Sequence, residues 1–259
     1  MLKLIDTHCH LCHPRLAADT AGVLARAAEV GVATVICAVG NLEESHQARD
    51  LAARFDGVYF LAGLHPHDAK DAAADYLAQL ESLAGEARCV ALGECGLDYH
   101  YNFSPPPDQH RVFAEQLELA RRLGKPVVIH TREAFADTLA IIRDSRIDGG
   151  RVVFHSFTEG PEHARAALDL GATISFSGIA TFAGAGEVRR SATAVPEDRL
   201  LVETDSPYLS PEPVRKIKTN QPAHVMHVAR CLADARHTSP EALAESTTAN
   251  ARRFFGLAE

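Results

Sequence analysis

The sequence has no excess of positive charge: 26 Lys and Arg stand against 34 Asp and Glu, a formal net charge of −8. The surface as a whole therefore lacks the basic stripe with which long duplex-binding proteins displace counterions, and any contact with nucleic acid must be local. No apolar run approaches the roughly 18 residues that a membrane span needs. The N-terminus, Met1 to Ile5 followed at once by Asp6 and His8, does not read as a signal peptide. These absences point to a cytoplasmic protein with no membrane attachment and no obligate protein partner. A second C-x-x-C is also missing. Cys9 and Cys12 form one such pair, which suggests a zinc ribbon or a redox couple, but nothing completes a four-ligand site. With Cys37, Cys89, Cys95 and Cys231 they read as reduced thiols used as small hydrophobes. No Ser/Gly/Pro-rich linker and no sequence repeat divides the 259 residues, so residues 1–259 read as one domain.

What is present is an architectural rhythm. A short β-branched or apolar run is followed by an amphipathic helical stretch, eight times over. The strand candidates are Leu4–His8, Thr34–Val39, Val58–His65, Cys89–Glu94, Val127–His130, Val152–His155, Thr173–Ser177 and Leu200–Asp205. Each has the Val, Ile, Leu and Phe content of a strand buried on both faces. Helices such as Ala69–Gly85 and Asp108–Gly124 end at glycine. Two more helices follow the eighth strand, the last opening at Ser239-Pro240-Glu241 and closing near Gly256. The pattern predicts an α/β protein of one (β/α)₈ TIM barrel with an additional C-terminal helix, with an open parallel sheet as the runner-up.

Of the 14 histidines, six (His8, His10, His65, His67, His130 and His155) fall at or just beyond the C-terminal end of a predicted strand, where barrel active sites lie. Glu94 and Asp205 occupy equivalent ends of the fourth and eighth strands. Side chains alternate along a strand, so His8 and His10 share a face while Cys9 points away. By the same period Asp6 lies a tier below His8 and Glu203 a tier below Asp205, where both can support the imidazoles. Taken alone, His65, His67 and His100 read as polar rim residues. His8, His10, Glu94, His130, His155 and Asp205 as a set read as metal ligands, because buried acids are too costly to collect without a cation among them. Six donors suit two divalent ions, Mg²⁺, Mn²⁺ or Zn²⁺, with Glu94 bridging. Paired ions activate water and neutralise phosphodiester charge, and Asp205 is placed to accept the water's proton.

Six segments carry a family resemblance: Ile5-Asp6-Thr7-His8-Cys9-His10-Leu11, Gly63-Leu64-His65-Pro66-His67, Gly93-Glu94-Cys95-Gly96-Leu97-Asp98-Tyr99, Val128-Ile129-His130-Thr131-Arg132-Glu133-Ala134, Phe154-His155-Ser156-Phe157 and Glu203-Thr204-Asp205-Ser206-Pro207-Tyr208-Leu209. In this order, and with the Ala249–Gly256 tail, they resemble the TatD family of metal-dependent deoxyribonucleases over essentially the whole chain. The resemblance implies a barrel metallohydrolase with ligands at His8, His10, Glu94, His130, His155 and Asp205. It also implies phosphodiester hydrolysis in DNA, in exonucleolytic fashion. The chain departs from the family after Pro211, reading Arg215-Lys216-Ile217-Lys218-Thr219-Asn220-Gln221-Pro222 without the usual glycine, so the substrate-loop geometry does not carry over.

The leading expectation is thus a divalent-metal nuclease acting on single-stranded or frayed DNA ends. Glu94 and Asp205 would be its catalytic carboxylates, and His65, His67, Arg132, Arg215 and Lys218 its substrate contacts. A second reading keeps the metals and changes the bond to an amide, lactone or aminoacyl ester. A third, a non-catalytic metal-binding module, is disfavoured because a structural site is closed and needs only four ligands.

Overall fold

Eight Val-, Ile-, Leu- and Phe-rich segments form the strands: β1 (Leu4–Cys9), β2 (Val32–Cys37), β3 (Val58–Ala62), β4 (Cys89–Asp98), β5 (Val127–Arg132), β6 (Val152–Phe154), β7 (Thr173–Phe176) and β8 (Leu200–Val202). The helices are α1 (Pro14–Ala17), α2 (Thr20–Glu29), α3 (Leu42–Arg54), α4 (Tyr76–Ala84), α5 (Pro106–Leu123), α6 (Phe135–Ser145), α7 (Pro161–Asp169), α8 (Gly186–Ala194), α9 (Val225–Ala235) and α10 (Pro240–Phe255). Sheet order follows chain order, β1 to β8, and the fold is a (β/α)₈ barrel. The computed structural model describes residues 2–258, so Met1 and Glu259, the two ends of the expected single domain, lie outside the described residues. No helix among the described residues is long and apolar enough to cross a membrane.

Strand ends differ from the sequence expectation where side chains take over the backbone's hydrogen bonds. β3 stops at Ala62 instead of His65, because Leu64 N–H donates to Gln116 Oε1 and Leu64 C=O accepts from Gln116 Nε2, both at 2.9 Å. β8 stops at Val202 instead of Asp205, because Thr204 N–H donates to Asp6 Oδ1 at 2.8 Å. β4 runs on to Asp98 instead of ending at Glu94, pairing Gly96 with His130 and Asp98 with Arg132. The expected helix Ala69–Gly85 divides into a 3-10 turn, Pro66–Asp71, and α4, since the Lys70 N–H is taken by Ser104 Oγ. α5 ends at Gly124 and α10 at Gly256, both left-handed at φ 65°. α10 opens where Ser239 Oγ accepts the Ala242 N–H.

The chain forms two compact units. The first comprises 1–37, 155–169 and 173–259. Here β1 pairs with β2 and β7 with β8, in parallel. Past its last paired residue β8 meets β1: Asp205 N–H donates to His8 C=O and His10 N–H to Ser206 C=O. The Asn250 amide of α10 donates to Glu197 and Leu200 carbonyls, anchoring the C-terminal helix under β8. Leu16, Ile36, Phe176 and Leu201 are among its fully buried side chains.

The second unit comprises 38–154 and 170–172, with β3, β4, β5 and β6 paired in sequence. Phe60, Leu92, Phe113, Leu117 and Phe154 are buried in it. Gly96, at φ 144°, permits the tight β4–β5 approach, because a Cβ there would overlap the His130 carbonyl oxygen. That approach sets β4 carboxylates beside a β5 imidazole.

Candidate functional site

In the first unit, β1 and the segments just beyond β6 and β8 place His8, His155 and Asp205 so that one donor atom from each lies within 4.8 Å of the others. The His8 and His155 rings stack at 4.0 Å. Asp205 Oδ1 is 3.3 Å from His10 Nε2 and 3.9 Å from His8 Nε2. Burial works to raise the Asp205 pKa, but His10, His155 and His8 outweigh it and hold the carboxyl below its ordinary value.

Two further acids lie beneath this cluster, Glu203 1 % exposed and Asp6 fully buried. Glu203 Oε1 meets His155 Nδ1 at 3.2 Å and accepts the Ser156 N–H at 2.6 Å. It thus backs an imidazole, as its place in the sequence suggested. Asp6 does something else. Its oxygens accept Thr204 N–H at 2.8 Å, Thr204 O–H at 2.5 Å and the His8 backbone N–H at 3.4 Å. It tracks the β1–β8 junction instead of orienting a ring, because the β8 backbone offers the nearer donors. Burial pushes its carboxyl up to about 8, against the downward pull of the Thr204 bonds.

In the second unit, His65, Glu94 and His130 bring one donor each within 4.8 Å of one another. Glu94 Oε1 lies 2.9 Å from His130 Nδ1 and 3.3 Å from His65 Nε2. Burial presses the His65 pKa down to about 4, with Glu94 opposing. His65, expected from the sequence to contact substrate, therefore faces the donor cluster. His67, the other such candidate, meets Asp98 Oδ2 at 3.0 Å, the same oxygen that meets His130 Nε2 at 3.0 Å.

Sequence reasoning passed over Asp98, which is fully buried. Burial works to raise its pKa, and bonds from His130, His67 and the Tyr101 N–H overcome that and drive it well below the ordinary range. The signal lay in parity. Asp98 follows Glu94 by two strand periods, visible once the strand is allowed to continue.

Of the expected cationic contacts, Arg132 at the end of β5 sets its guanidinium 4.7 Å from the centroid of the Tyr101 ring. Arg215 lies 3.7 Å from the Phe182 ring centroid. The Lys218 carbonyl accepts from Arg15, and its side chain is exposed. All six cysteines are free thiols. Cys12 Sγ lies 3.8 Å from Cys37 Sγ, and Cys9 Sγ donates to Ile36 C=O, so the C-x-x-C is not a unit.

Both clusters fit a divalent ion. Bonds of about 2.0–2.2 Å to nitrogen and oxygen place neighbouring donors about 3.0–3.5 Å apart in tetrahedral or octahedral geometry. The separations on Glu94 Oε1 are 2.9 and 3.3 Å and those on Asp205 Oδ1 are 3.3 and 3.9 Å. The mixed imidazole and carboxylate set suits Zn²⁺, Mn²⁺ or Mg²⁺.

The family model described as TatD related DNase matches residues 5–256. The uncharacterized metal-dependent hydrolase YcfH of Escherichia coli (strain K12) is 44% identical over 257 residues, covering 98% of this chain and 96% of that protein. The 3′-5′ ssDNA/RNA exonuclease TatD of Cronobacter sakazakii is 39% identical over 243 residues, 92% of each chain. The crystal structure of YJJV, a TatD homologue from Escherichia coli K12, superposes with a TM-score of 0.90 at 28% identity, covering 98% of both chains.

Proposed function

The chain belongs to the TatD-related DNase family and is a metal-dependent hydrolase, and from that membership we propose that it cleaves phosphodiester bonds at the ends of single-stranded DNA. The observation that carries the reading is the convergence, in each unit, of three donors of the right kind within 4.8 Å. His8, His10, His155 and Asp205 would hold one divalent ion, and His65, Glu94 and His130 would hold a second. Two such ions, when bound, supply Lewis acidity for water and phosphate.

The chain's own groups do the rest. Asp205, held below its ordinary pKa, is ionised at neutral pH and accepts the proton of the water that attacks phosphorus. Glu203 fixes the His155 ring. A strand end is the substrate because the −8 net charge repels long duplex everywhere except at local cations. Attack from the 3′ end is supported by the name of the Cronobacter sakazakii relative.

Elemental analysis of the purified protein, followed by 5′-labelled, 3′-labelled and covalently closed circular single strands with Mg²⁺ or Mn²⁺, tests the proposal. The expected result is metal-dependent loss of nucleotides from the 3′ end with the circle intact. Rapid cutting of the circle overturns end dependence. Inertness on all three strands with turnover of an amide or aminoacyl ester moves the enzyme to the amidohydrolase reading.

A further inference from the structure

Beside its donor cluster the second unit exposes an aromatic surface that serves neither core nor metal. Tyr101 and Phe103 are 49% and 58% exposed. A single exposed ring is unremarked on a protein surface. Here two are stacked on each other, with centroids 5.3 Å apart and planes 22° apart. The His67 ring stands edge-on to both, at 5.5 and 4.8 Å. Among the described residues no carboxylate pairs with the Arg132 guanidinium, which lies on the Tyr101 ring.

The loop that carries the rings is fixed from below. Tyr101 N–H donates to Asp98 Oδ1 at 2.8 Å, Gln109 Nε2 to Ser104 C=O at 2.7 Å, and Ser104 Oγ to His67 C=O at 2.7 Å. The rings are therefore ordered before any ligand arrives, which lowers the entropy cost of binding to them. Asp98 joins the two functions, since one oxygen holds the Tyr101 backbone and the other meets His130 Nε2.

We propose that Phe103, backed by Tyr101, is a stacking platform for a nucleobase of the bound single strand, with Arg132 contacting the adjoining phosphate. The inference rests on the nuclease reading. Every base offers a π-face, so stacking is tolerant of sequence, and alanine substitution at such platforms costs about 1–3 kcal/mol per base. That corresponds to a change of about 5- to 150-fold. A cation on a ring beside an open aromatic face matches a phosphate next to a base. Bases inside a duplex are already stacked on one another, so the platform selects unpaired ends.

The test compares steady-state hydrolysis, in Mg²⁺, of a 3′-labelled thymidine dodecamer and the same backbone with abasic sites at its 3′-terminal positions. With wild-type enzyme the abasic strand should show a KM at least about fivefold higher. Phe103→Ala should raise the KM for the base-bearing strand by a similar factor, leave kcat within about twofold, and leave the abasic strand unchanged, while Phe103→Trp restores the wild-type KM. An unchanged KM in Phe103→Ala, or equal weakening toward both strands, overturns the platform while leaving the nuclease reading standing. Wild-type enzyme that cuts neither strand overturns both.

Discussion

The two donor clusters are built on opposite plans. In the first unit one carboxylate, Asp205, gathers the imidazoles of His10 and His8, at 3.3 and 3.9 Å. Its supporting acid, Glu203, stands behind His155. In the second unit one imidazole, His130, gathers two carboxylates of the same strand, Glu94 on Nδ1 and Asp98 on Nε2. In the first plan the supporting acid stands on His155, apart from the His10 and His8 nitrogens that face Asp205. The second sets acids on both nitrogens of His130, so one of these contacts must give way when a cation takes that ring. Preorganisation therefore favours the first cluster, and the second should hold its ion less tightly.

Removing the central carboxylate of each plan breaks the comparison most severely. Asp205→Asn and Glu94→Gln should each lower kcat/KM by about 10³-fold or more, because the proposed paired-ion hydrolysis needs both centres. Both should stay folded, since the strands and helices that form each core do not depend on these side chains. Elemental analysis should find about one ion in each variant in place of two. Glu94→Gln, which keeps the first cluster, should resist chelator longer than Asp205→Asn. Full activity in either variant, or the reverse order of chelation, removes the distinction.

Support residues sharpen it. Loss of an acid that orients a ligand typically costs 10- to 100-fold in metal affinity or activity. Glu203→Gln should fall in that range by loosening His155. Asp98→Ala should do the same through His130 and in addition release the Tyr101 backbone, whose N–H loses its acceptor, so its KM for single strands should rise where that of Glu203→Gln does not. Metal titrations alongside KM measurements on both variants decide this.

The histidine-rich strand ends were legible in the sequence because a parallel β/α rhythm repeats the same strand-to-helix exit, and the structure gathers His8, His155 and Asp205 in the first unit and His65, Glu94 and His130 in the second. The limit of that reading was local. Strand ends slid by a few residues wherever a side chain replaced a backbone partner, as Gln116 does at Leu64 and Asp6 at Thr204. Asp98 lies beyond the expected end of the fourth strand at Glu94, and the strand runs on to include it. Its bonding to His67 and His130 depends on the β4–β5 register, which no single segment encodes. The Tyr101–Phe103 pair was invisible for a different reason: aromatic residues near a helix start usually signify core, and only the fold shows them facing water.

His224 is the counter-case to the clusters, a mostly buried imidazole of the first unit whose hydrogen-bonding neighbours are the Asn220 and Gln221 amides instead of carboxylates. Burial, and then the charge of His227, push its pKa down to about 4. Arg26, reaching Gln221 from α2, adds no negative charge. Between about pH 6.5 and 4 the unfolded chain takes up a proton that the folded chain refuses. This contribution is complete above about 6.5 and is lost as pH falls toward 4. The slope is at most about 1.4 kcal/mol, or tenfold in the folding equilibrium, per pH unit. Urea midpoints of metal-free protein at pH 7 and pH 5 should therefore lie closer together in His224→Gln than in the wild type, and an unchanged gap means that other groups set the acid limb.

The smallest effect expected separates the cations of the two units. Arg132 closes β5, a strand held in register by β4, and its guanidinium rests on Tyr101 beside the donor cluster. Arg215 belongs to the segment after β8 that departs from the family pattern, and its guanidinium rests on Phe182. A group on a strand is placed more sharply than one on a loop, so Arg132 should make the better phosphate contact. Each phosphate contact to a single strand contributes about 0.7 to the slope of log affinity against log salt. Arg132→Ala should lose about that much slope and weaken binding a few-fold, with Arg215→Ala and Lys218→Ala losing less. Affinities across a salt series for the three variants test the ranking. An unchanged slope in Arg132→Ala takes that residue off the path of the strand and leaves the loop of the first unit as the source of phosphate binding.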